Sequence, residues 1–456
     1  MDKLRKCFFV VAFTIPFLVA SRSSHAVPSF AQQTGQPCAA CHIGAFGPQL
    51  TPMGQEFKIG GYTLSSGEGI AAQIPLAAMA LGSFTNTREA QPMPAASDFG
   101  RNNNFALDQI SLFFAGRITD FAGAFIQGTY SGVDRAFQLD NTDVRVTTPL
   151  TFGQTNLQIG ATLNNGPTVQ DPFNSTPVWM FPFASSALAP TPTAQPLLAG
   201  GLVGNSIGLT AYAWYDHHLY VEAGGYETYG PTLLSAAGAS LGPGSTANVA
   251  PYARAAWQWQ WNDQAAHIGG LLLSANINPA LSEHTATSMN GMNRFTDYAL
   301  DASYRYLGDG RHIGTAYLLY IHENQDLSAA FNTAGSVGQS SALNQIRMNA
   351  SYFYNNTYGL TVGWQYTWGP ANPLMFPQAP VTGSRNGKPN SNAFIMEADW
   401  IPFGKEESWG RPFANLKIAL QYTAYTLFNG GSHNYDGFGR NASGNNTIFL
   451  YAWTAF

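Results

Sequence analysis

Charge is scarce in this chain. Asp, Glu, Lys and Arg make up 10% of its 456 residues, against roughly 25% in an ordinary soluble domain. The net charge of −5 is mild and no basic run occurs, which argues against nucleic acid as a partner. Long apolar runs are lacking too. Beyond residue 20 nothing approaches the ~20 apolar residues that a membrane helix needs. Cysteine is rare, with three in all.

The start of the chain reads as a secretory signal. Lys3, Arg5 and Lys6 precede the apolar run Phe8–Ala20, and Ser24-His25-Ala26 offers a small-residue cleavage site. Residues 1–26 are therefore expected to be removed, taking Cys7 with them. Cys38 and Cys41 are then the cysteines of the mature chain.

What the chain has in plenty is Gly (47), Phe (30), Tyr (21) and Trp (10). Together with low charge and no spanning helix, this composition suggests a transmembrane β-barrel. Sixteen segments of alternating character follow, from 71–85 to 447–456. The clearest is Asp297–Tyr306. Tyr298, Leu300, Ala302, Tyr304 and Tyr306 share one face, and Asp297, Asp301, Ser303 and Arg305 share the other. Alternate residues point to opposite faces of a strand, so lipid and lumen explain the pattern. Short links such as Asp216-His217 and Asn355-Asn356 alternate with long ones such as 165–205. Outer-membrane barrels have short periplasmic turns and long external loops. The expected fold is mainly β: a 16-stranded antiparallel transmembrane β-barrel over 69–456. A small N-terminal α-helical domain over 27–68 enters it from the periplasmic side.

That small domain carries Cys38-Ala39-Ala40-Cys41-His42, the attachment signature of a c-type haem. Two intervening residues bring both sulfurs to one helical turn, where each can add to a vinyl group. His42 follows as proximal ligand of the haem iron. A structural zinc site needs about four protein ligands, and no second Cys/His pair is near. No βαβ pattern surrounds the motif as a thioredoxin-like site would require. A plain disulfide stays open. Ser29 is expected to cap a first short helix, and Thr51-Pro52 to start another that Gly60-Gly61 ends. Met53 and Met79 are the candidate distal ligands. His217 and His218 read as turn residues, and Trp257, Trp259 and Trp261 as an interfacial girdle. His284, His433, Glu323 and Asp326 fall in or beside external loops, with no metal-site spacing.

The stretch PSFAQQTGQPCAACHIGAFGPQLTPMGQEFKIGGY, Pro28 to Tyr62, resembles the outer-membrane cytochrome–porin fusions of iron-oxidising bacteria. Met53 and Gln55 stand where that family is expected to have Phe and Arg. The resemblance implies one covalent haem c on Cys38, Cys41 and His42. It also implies electron uptake from an extracellular donor, Fe(II), and delivery to periplasmic c-type cytochromes. As an enzyme such a protein would be an Fe(II):cytochrome c oxidoreductase. The alternative is a diffusion porin whose N-terminal segment is a haem-containing plug or redox gate. Either reading puts the chain among outer-membrane lipid.

The motif predicts an intact mass one haem above that of the cleaved chain, after expression in a host able to attach c-type haem. Cys38→Ala should leave at most one thioether. An exported, folded and haem-free protein from such a host would overturn the reading.

Overall fold

The computed structural model describes residues 28–66, 75–240, 244–279, 291–329, 338–405, 408 and 414–456. The expected signal at 1–26 and His284 lie outside the described residues. No described helix is long and apolar enough to cross a membrane; the crossing is made by strands.

The sheet has seventeen strands. One, β8 (Ser245–Thr246), has only two residues. The sixteen long ones make the wall. They are β1 (Leu76–Thr87), β2 (Asn104–Thr119), β3 (Ala122–Ser131), β4 (Ala136–Phe152), β5 (Thr155–Asn164), β6 (Ser206–Tyr215), β7 (Leu219–Thr228) and β9 (Ala250–Trp261). The second half is β10 (Gln264–Asn278), β11 (Asn293–Tyr306), β12 (His312–Asp326), β13 (Ser340–Tyr354), β14 (Tyr358–Trp368), β15 (Ser391–Trp400), β16 (Asn415–Leu427) and β17 (Thr447–Ala455). Each long strand pairs antiparallel with its neighbours in the chain, across β8 for β7 and β9. The seam is the β1–β17 pair, running from Met79↔Ala455 to Thr87↔Thr447. Closure leaves no edge in lipid, where an unpaired N–H or C=O is costly.

The alternation is borne out in β11. Asp297, Ala299, Asp301, Ser303 and Arg305 are buried, while Tyr298, Leu300, Tyr304 and Tyr306 are exposed. Tight hairpins form where the sequence supplies residues that tolerate positive φ. Asp216 and His217 have φ of 49° and 59°, and Asn355 and Asn356 have 54° and 50°. Two consecutive positive φ values make the turn whose twist matches a hairpin.

The lumen is filled by the chain itself. At the short-turn end lie α1 (Pro28–Thr34), α2 (Cys38–Cys41) and α3 (Pro52–Ile59). A stretch this small cannot bury a core alone, and it borrows the wall. Ile43 packs with Ile313, Phe353 and Ile401, and Phe46 meets Trp453 edge-on at 5.1 Å. Ser29 lies within α1 with its hydroxyl buried and unpartnered, so it is not the expected cap.

The loop 165–205 departs from its expected external place. It folds back into the lumen, and most of it is buried. Ser175 donates to Asp301 at 2.5 Å, and the amides of Leu197 and Leu198 donate to Glu323 and Asp297 at 2.5 and 2.6 Å. Arg347 holds the carbonyls of Pro177, Met180 and Phe181. The physical reason is pairing: lumenal charges find in this loop the backbone and hydroxyl partners that burial demands.

Leu300, 60% exposed in the middle of β11, tests the lipid face. Leu300→Arg should cost about 2–4 kcal/mol if it lies near the bilayer midplane, read by equilibrium urea titration in lipid vesicles, with Leu300→Ala as the uncharged control.

Candidate cofactor site

Cys38 and Cys41 occupy one turn of α2, and the His42 amide closes that turn on the Cys38 carbonyl at 2.8 Å. The chain then reverses through Gly44, Ala45 and Gly47, all at positive φ. Ile43 N–H reaches Gln49 O at 2.9 Å, and Thr51 N–H reaches Cys41 O at 3.0 Å. Thr51 caps α3 as expected, its hydroxyl accepting from Gly54 N–H at 3.2 Å. The same hydroxyl donates to Ala40 O, which ties α3 to α2. Gly54 has no room for a side chain: a Cβ there would lie 2.3 Å from Cys41 O.

The wall completes the seat. Asn415 of β16 donates to Ala45 O at 2.7 Å and lies 3.5 Å from Cys38 Sγ. Arg305 donates to Leu50 O at 3.2 Å. Gln33 donates to Tyr62 O at 2.6 Å and accepts from Arg117 N–H of β2 at 2.7 Å. Tyr62 donates to Asp143 at 2.7 Å, and Tyr212 to Ile59 O at 2.6 Å. At the β6–β7 turn, His217 Nδ1 lies 2.9 Å from Glu56 Oε1, so this turn residue has a partner on α3.

Beside the motif is a cavity of about 120 Å³. Cys38, Cys41 and His42 all border it. Its walls are mainly apolar, with Phe30, Leu50, Phe57, Phe125 and Trp179 among them. The polar lining includes Lys58, Tyr62 and Asn174.

Three features fit a covalently held, iron-bearing ring. Burial lowers the His42 pKa, opposed by the nearby Gly47 backbone, so the imidazole is neutral at pH 7 and its lone pair is available to a metal. Its Nδ1 is buried without a partner at normal hydrogen-bond geometry. Burial, aided by the Cys38 charge, pushes the Cys41 thiol up to about 11. A redox-active CxxC has a lowered thiol pKa, so this pair is not of that kind. No disulfide joins the two cysteines.

Neither candidate distal ligand borders this cavity. Met53 is half-buried on α3. Met79 is lumenal, as its strand alternation implied, but packs with Ala77, Phe113 and Ala115. Phe30 and Phe125, which do line the cavity, pack against that cluster. Among the described residues no group of three or more His, Cys, Asp or Glu could hold a metal ion.

The sequence reading passed over Lys58, Asn174 and Trp179. Lys58 had a signal: Gly54, Phe57 and Lys58 recur at i, i+3 and i+4, one face of a helix. Lys58 Nζ donates to Val169 O at 2.9 Å and Asn174 Oδ1 at 3.0 Å. It lies 4.6 Å from the centre of the Trp179 ring. Burial pushes its pKa down to about 7; Arg145 adds to this, and Asp143, Asp171 and Glu222 oppose it.

These features define a closed sixteen-stranded transmembrane β-barrel with its own N-terminal segment and one long loop inside the lumen. No family model matches the chain, and neither does any curated protein. Among solved structures it is similar to OprB of Pseudomonas putida, at TM-score 0.48 and 12% identity, over 84% of this chain and 94% of that one. An anion-selective porin from Comamonas acidovorans gives TM-score 0.45 and 12% identity, over 84% and 98%. OmpT of Vibrio cholerae gives 0.43 and 9%, over 84% and 96%. At such scores the likeness decides nothing, and the fold stands on its own strand register.

Gly54→Ala should drive α3 off the Cys41 carbonyl, an overpacking of about 1–3 kcal/mol. The yield of protein with two thioethers should fall, while heat-modifiable gel mobility shows the barrel still formed.

Proposed function

We propose that the protein is an outer-membrane electron conduit. It takes electrons from an extracellular donor such as Fe(II) and passes them to a periplasmic c-type cytochrome by way of one haem c. The observation that carries this reading is the meeting of Cys38, Cys41 and His42 on one apolar cavity inside the barrel. A haem bound there supplies reversible one-electron chemistry. The residues do the rest. Cys38 and Cys41 would hold it through thioethers, each S–H adding across one vinyl C=C with sulfur on one carbon and hydrogen on the other. His42 would offer its imidazole lone pair to the iron. Phe30, Phe57, Phe125 and Trp179, which line the cavity, would keep water from the group, and a dry surrounding tunes the potential.

The barrel supplies access from two sides. Residues 28–66 occupy the short-turn end, which by the usual arrangement is periplasmic. At the long-loop end a vestibule of about 740 Å³ is lined by Gln138, Asp140, Glu323 and Gln325 among others, and a hydrated metal ion suits such walls. Between the two lie the N-terminal segment and loop 165–205. This filling weighs against the second reading, a porin for free diffusion.

Anaerobic Fe(II) added to the purified, oxidised protein should give the reduced c-type spectrum, and Cys38→Ala/Cys41→Ala should not. Liposomes carrying the protein should not swell in small sugars. A haem that dithionite reduces but Fe(II) does not would remove iron as donor. Rapid swelling would favour the porin.

A further inference from the structure

We propose that Lys58 is the counter-ion for a carboxylate of the ligand in this cavity, which on the reading above is a haem propionate. The inference starts from the direct partners of a buried ammonium. Lys58 is 6% exposed. Its two hydrogen-bond acceptors, Val169 O and Asn174 Oδ1, are both neutral, and Trp179 gives it only a ring face. Buried charges are normally paired with an opposite charge, and no described carboxylate lies in ion-pair range of Lys58. The acidic groups of this region are already engaged. Asp143 accepts from Tyr62, Arg145 and Thr162. Asp171 is taken by Arg254 and by the Phe173, Ser175 and Thr176 amides. Glu222 accepts from Thr210 and Tyr220.

An ammonium has three donors, and two of them are spent on the loop. Lys58 is also part of the cavity wall, beside Tyr62, Asn174 and Trp179. If Lys58 served only to tie α3 to loop 165–205, a neutral amide would do so without a buried charge. An anionic group in the cavity would give the ammonium a direct charged partner. It also explains why Asn174 and Trp179 come from the folded-in loop to hold one amine in place: Asn174 is itself anchored by donating to Pro48 O at 2.7 Å.

The test uses the full-length haem-bearing protein in detergent, with Lys58→Met, Lys58→Gln and Lys58→Arg. With Met or Gln the haem should stay attached by two thioethers, and the spectra that report spin state and axial ligands should match wild type. The propionate bending mode in resonance Raman should shift. The midpoint potential should fall, because removing a nearby positive charge favours Fe(III). Arg should keep the potential close to that of the wild type. An unchanged potential and propionate mode in both neutral variants would overturn the proposal and leave Lys58 as a tie for the loop. Altered axial-ligand spectra in those variants would overturn it differently, putting the amine on the iron. Failure of the haem reading itself is distinct, because the wild-type mass would then show no haem.

Discussion

In the hydrocarbon core of a membrane every backbone N–H and C=O needs a partner within the protein. Everything else in this structure follows from that constraint. It makes the wall a closed ladder, and closure creates an inside. Sixteen strands enclose a space too wide for wall side chains alone to fill. This chain fills it with two of its own segments, 28–66 and 165–205, and with the charged groups that bind them. Arg254 and Asp301 pair at 2.8 Å, and Lys417 meets Glu397 at 2.7 Å. Lumenal charge is therefore mortar here, where an open channel would present it to water.

The wall was legible in the sequence because its signal is local. Asp297–Tyr306 alternates residue by residue, and each residue reports its own face. The hairpins at Asp216-His217 and Asn355-Asn356 were equally local, since positive φ asks for particular residues at two adjacent positions. The single turn formed by Cys38–Cys41 is local in the same way.

What could not be read depends on contacts distant in the chain. The fate of loop 165–205 is decided by Asp171, Arg254 and Asp301, which meet only when β9 and β11 are in place. Its length and prolines look the same whether it lies outside or inside. Met79 was given the right face, yet face alone does not say what lies opposite. Phe30 packs against its cluster, from a helix in another part of the chain. Lys58 was overlooked because an ammonium in a sequence carries no mark of burial.

The N-terminal segment spans the seam of the barrel. On one side Gln33 accepts from Arg117 of β2, and Phe30 stacks on Phe125 of β3 at 6.3 Å. On the other, Asn415 of β16 holds Ala45, and Trp453 of β17 meets Phe46. The first and last hairpins are thus joined through a third body as well as by the β1–β17 ladder. The seat for residues 28–66 is complete only when the two ends of the chain have met. In time, then, the inner segment is seated late, and like a clasp it holds shut the one joint of the cylinder that the order of the chain does not bring together.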